Sequence, residues 1–166
     1  MEPTVNVHTA SADTHKPDAY RAELEAVRLR RAELRESLVA LEQALASPAV
    51  GRSMIWGERV RSILVEVADD FREHIEVTEG TDGLHQAILA GDVRLTNAVS
   101  ALTSEHAQIA AEIADLIVAT EPPVTPPDVA DVRERSTRML GHVIRHRQRG
   151  ADLIYEAYAT DIGGGD

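Results

Sequence analysis

Apolar residues return at steps of three and four along four long stretches of this 166-residue chain, and that spacing admits few folds other than packed helices. Leu24, Val27, Leu34, Leu38, Leu41 and Leu45 mark the first stretch, and Val60, Leu64, Val67 and Phe71 the second. Leu95, Val99, Leu102, Ile109, Ile113 and Leu116 mark the third, and Val132, Met139, Val143, Leu153 and Ala157 the fourth. At 3.6 residues per turn each set gathers on one helical face. Nothing alternates with period two for long enough to read as a strand.

The punctuation between stripes agrees. Pro17 and Asp18 read as a helix start with Asp18 as N-cap. Ser47-Pro48 ends the first helix, since proline has no amide to donate and disfavours a helical predecessor. Gly80 to Gly83 is a turn cluster, Leu84 to Ala90 a short apolar bridge, and Pro122, Pro123, Pro126 and Pro127 a stiff connector before a helix starting near Asp128. The expected fold is all-α, an antiparallel up-and-down four-helix bundle. Residues 1–17, with His8 and His15, read as a disordered arm, 18–160 as the bundle and 161–166 as a flexible tail.

Composition narrows the chemistry. The absence of cysteine excludes disulfides, zinc ribbons, iron–sulfur ligation and thiol catalysis. A formal charge of −11 argues against nucleic acid or an anionic membrane as partner. No apolar run approaches the ~18 residues of a membrane span, and the first residues lack the order of a signal peptide, so a cytoplasmic protein is expected. No Gly-rich phosphate loop, nucleophile elbow or Ser–His–Asp arrangement on a turn is present, and an enzyme is not expected.

Information lies where the stripes are broken. Extending each seam puts Arg31 inward on the first helix, His74 and Thr78 on the second, His106 on the third, and His146 with Gly150 on the fourth, with His142 at the edge. A single inward histidine is ordinarily a hydrogen-bonded core residue. Three on separate helices of a bundle are how such folds assemble metal sites. His74 matches the level of Arg31 only if the second helix proper starts near Gly57-Glu58, with Ser47 to Trp56 lying across the bundle end and Gly51 and Gly57 as bends. Trp56 reads as a partly exposed lid, His85 as a surface residue in preference to a closure of the site from above, and Asp152 as solvated or interfacial.

The stretches Asp70-Phe71-Arg72-Glu73-His74, Ser104-Glu105-His106 and Arg145-His146-Arg147-Gln148-Arg149-Gly150-Ala151-Asp152 resemble those of hemerythrin-like proteins, the HHE cation-binding domains of bacteria. So does the closing run Leu153-Ile154-Tyr155-Glu156-Ala157-Tyr158, followed by Asp161-Ile162-Gly163-Gly164, and the likeness covers about residues 20–162. The resemblance implies a four-helix bundle, an iron site and oxygen or redox-related binding. Family members hold two irons through a first-helix His, His-x-x-x-Glu, His-x-x-x-His and His-x-x-x-x-Asp. Here those positions carry Arg31, His74 with Thr78, His106 with Ala110, and His146 with Ala151, Asp152 falling one step late. The resemblance therefore implies a reduced site, one iron or zinc on His74, His106 and His146, with Glu79 or His142 as a further ligand.

Asp70, one turn before His74, either ligates or orients that ring or serves as counterion to Arg31. Two other readings use the same layer. One is a metal-free structural or interaction module, which requires a buried carboxylate beside Arg31. The other is a small-anion site made by Arg31 and protonated imidazoles.

Overall fold

The computed structural model describes residues 16–163, with side chains over 21–157; the arm 1–15, with His8 and His15, and residues 164–166 lie outside the described residues. The protein is all-helical, without a strand among the described residues. Four long helices carry it: α1 (Lys16–Ala46), α2 (Ser53–Glu79), α4 (Thr96–Ala119) and α5 (Pro126–Gly163). Between α2 and α4 come the short α3 (Leu84–Gly91) and a 3₁₀ turn, Val93–Leu95. No helix is long and apolar enough to cross a membrane.

Several boundaries differ from the sequence expectation for local reasons. α1 begins at Lys16, so Asp18 lies within its first turn rather than preceding it as N-cap. α5 begins at Pro126 rather than near Asp128, because proline's missing amide costs nothing in a first turn. The Asp128 carboxylate accepts from the Thr125 backbone N–H at 2.7 Å, half of a capping box. α5 also runs on to Gly163, so residues 161–163 continue the helix.

Gly57 is not a bend. α2 starts at Ser53, and a Cβ at Gly57 would stand 2.5 Å from Val124 Cγ2, so its bare backbone is what lets the α4–α5 connector pack against α2. Gly57→Ala is expected to cost about 1–3 kcal/mol through this overpacking. Chemical denaturation would measure it, and an unchanged stability would show that Val124 moves aside freely. The α1–α2 connection is instead turned by Gly51, at φ +70.

Trp56 is buried rather than a partly exposed lid. Its Nε1–H donates to the Ala44 carbonyl at 3.1 Å, and the Arg133 guanidinium lies 5.3 Å from the ring centroid. Arg133 also donates to the Leu45 and Ser47 carbonyls at 2.8 and 2.7 Å, satisfying the end of α1 from α5. Arg61 on α2 donates to the Ile117 carbonyl of α4 at 2.7 Å.

The core is split in two. One apolar cluster holds Leu34, Leu38, Leu64, Phe71, Ile109 and Val143 with their neighbours. The other holds Leu24, Val27, Leu84, Val99, Leu102 and Leu153. Each long helix passes from one cluster to the other at a polar residue: Arg31 on α1, His74 on α2, His106 on α4 and His146 on α5. The polar layer is the seam between the two cores.

Candidate metal centre

Periodicity turns the three rings inward, and packing of α2 on α4 and α5 brings them together. His74, His106 and His146 each offer a ring nitrogen, and these nitrogens all lie within 4.8 Å of one another. His74 Nε2 is 3.3 Å from His106 Nε2 and 3.4 Å from His146 Nε2. Three nitrogens bound at ~2.1 Å and tetrahedral angles around one ion stand about 3.4 Å apart. The rings are 2%, 1% and 5% exposed in chain order. Phe71, one turn before His74, closes one side, its centroid 5.9, 5.8 and 6.4 Å from those of His74, His106 and His146.

Two of the rings are steered from behind. His106 Nδ1–H donates to Glu79, and His146 Nδ1–H donates to Glu105 at 3.0 Å. Donation from Nδ1 leaves each Nε2 lone pair aimed at the shared centre, the carboxylate–histidine arrangement that orients metal-binding imidazoles. His74 Nδ1 is buried without a hydrogen-bond partner. One N–H on His74 Nε2 can satisfy only one of the two facing lone pairs, whereas a cation satisfies all three nitrogens.

The remaining candidates sit elsewhere. Glu79, the last residue of α2, meets the layer through His106 rather than joining the converging nitrogens. His142 does not reach the layer, because its Nδ1–H donates to Glu112 at 2.6 Å on the half-exposed α4–α5 face. Asp70 does not orient His74 and does not pair with Arg31; it lines an outer groove with Arg30, Glu33 and Glu73. Arg31 has no ion-pair partner among the described residues, so the buried carboxylate required by a metal-free Arg/His core is not in place. Asp152 is exposed.

His85 is buried, not a surface residue. The short α3 puts Leu84, His85 and Ile88 inward together, and the His85 ring stacks on His106 at 8° between planes and 5.9 Å between centroids. Its sequence signal was the 84, 85, 88 spacing. Glu105 was also missed as a partner of His146; its place three residues after Leu102, at the edge of the α4 stripe, was the available hint. Thr78, one turn after His74, donates its hydroxyl back to the His74 carbonyl at 2.8 Å.

Burial disfavours a charged imidazole throughout the layer, and neighbouring positive charge adds to it. His74 is lowered to about 3, His106 to about 2 and His85 to about 4. His146 is lowered by burial against the opposing pull of Glu105. An anion pocket made of protonated imidazoles does not fit rings held neutral; the permanent positive charge beside them is that of Arg31. In metal-free protein the unfolded chain takes up protons at these rings below about pH 6.5, and the folded chain does so only at far lower pH. Stability is therefore complete above pH 6.5 and is lost on acidification, by at most about 1.4 kcal/mol per pH unit for each ring. Thermal melts from pH 7.5 to 5 should show the fall, and a flat profile would contradict neutral buried rings.

Fold and layer together define an all-helical protein with three buried histidines that could hold a metal. The chain matches no family model, no curated protein and no solved structure.

Proposed function

We propose that the protein is an antiparallel up-and-down four-helix bundle of hemerythrin-like architecture that binds one divalent transition-metal ion on Nε2 of His74, His106 and His146. The observation that carries this reading is the pair of Nε2–Nε2 distances, 3.3 and 3.4 Å, in a buried layer. The up-and-down course is supported by the end contacts, Trp56 with Ala44, Arg61 with Ile117 and Arg133 with Leu45. A carboxylate-bridged pair of irons does not fit. Arg31 stands at the first-helix position, Thr78 and Ala110 stand at partner positions, and Glu79 and Glu105 are engaged on Nδ1 atoms.

Zinc is favoured over iron. Three imidazoles with an open fourth position are a common zinc donor set, whereas open mononuclear non-haem iron sites take two imidazoles and a carboxylate. The role is binding of the ion and a small ligand rather than turnover. Tag-free protein dialysed against zinc and assayed by elemental analysis should hold one ion per chain. Two ions per chain, or none, would overturn the reading.

A further inference from the structure

α1 contributes no imidazole to the layer; it contributes a guanidinium. Arg31 sits between Val27 of one apolar cluster and Leu34 of the other. Its Nη2 occupies the space a side chain at residue 150 would need, 2.8 Å from a Cβ built on Gly150, one turn beyond His146 on α5. Its Nε is buried without a partner. The nearby carboxylates are committed elsewhere: Glu79 to His106, Glu105 to His146 and Arg149, and Glu33 and Glu73 to Arg30.

The charges that do act on Arg31 are unfavourable. Burial and the Arg147 cation both lower its hold on the proton, and its own charge disfavours protonation of His74 and His146. A divalent ion on the three rings adds positive charge to a layer whose two carboxylates face away from its centre, and Glu105 already answers Arg149. A guanidinium so placed lacks only an anion. Its planar fork matches two oxygens held on one carbon, and a tris-imidazole ion keeps a fourth position free.

Resting on the metal reading above, we propose that this layer captures a small carboxylate-class anion, of formate or bicarbonate size. One oxygen fills the ion's fourth position while Arg31 holds the anion, and the bare backbone of Gly150 leaves room for the guanidinium, whose tip a Cβ there would push aside. The small size follows from the burial of the rings and the closure by Phe71.

The test uses full-length protein loaded with Co(II), whose visible spectrum reports its ligands, titrated with formate and separately with bicarbonate at constant ionic strength. Wild type should give a saturable spectral change with one or both anions. Arg31→Met should bind one Co(II) as before but take the anion about tenfold or more weakly, in keeping with loss of a charged hydrogen bond. Gly150→Ala should weaken the anion in the same direction while Arg31 itself is intact. Equal anion affinity in wild type and both variants would overturn the proposal, as would a cobalt spectrum indifferent to both anions. Failure of wild type to bind Co(II) would overturn the metal reading, and this inference with it.

Discussion

His106→Ala should weaken zinc binding by more than a hundredfold. Loss of a partner behind a metal-bound histidine already costs 10–100-fold in metal affinity, and His106 is itself one of the three converging rings. The substitution also strips Glu79 of its hydrogen-bond partner. Glu79→Gln should fall within the 10–100-fold range, because it leaves the ring and removes only the carboxylate that aims it. Competition against a chromophoric chelator measures both. Zinc at a hundred times its dissociation constant stabilises the native state by about 2.7 kcal/mol, a rise of about 5–10 °C in Tm at this chain length. His106→Ala should show no such rise at the same zinc concentration. A wild-type-sized rise in the variant would mean that zinc binds somewhere other than this layer.

Phe71→Ala should be among the most damaging single changes outside the rings. The side chain is 1% exposed and belongs to the larger apolar cluster while forming the face on which all three imidazoles rest. Truncating a buried phenylalanine costs about 3–5 kcal/mol, which at this size lowers Tm by about 6–20 °C. Leu64→Ala offers the comparison, since Leu64 is as fully buried in the same cluster but two turns before Phe71, and so nearly three turns from His74, along α2. Both variants should lose stability, and only Phe71→Ala should also weaken zinc. Equal zinc affinity in the two would show that Glu79 and Glu105 hold the rings without help from packing.

The stripes and their interruptions carried a large part of this structure in plain view. Leu102, His106 and Ile109 must share a face at helical spacing, and Val143, His146 and Gly150 likewise, whatever the rest of the chain does. The burial of Trp56 and the partners of His85 and Glu105 were not legible, because their surroundings come from elsewhere in the chain. Trp56 is buried by Arg133 from a helix 77 positions further on, and Glu105 serves His146 rather than its neighbour His106. His142 had the right spacing and the wrong partner, since Glu112 draws it to the outer face.

Amino-acid order alone therefore determined that the chain is helical and which side of each long helix turns inward, because those are consequences of a 3.6-residue repeat acting within one segment. Tertiary structure alone decided that three ring nitrogens stand close enough to share an ion, that carboxylates hold two of the rings from behind, and that Arg31 buries its Nε beside Gly150 with no ion-pair partner among the described residues. Those outcomes depend on axial offset and rotation between helices. Packing of side chains such as Phe71, and of Val124 against the bare backbone of Gly57, sets these over distances that no local pattern encodes.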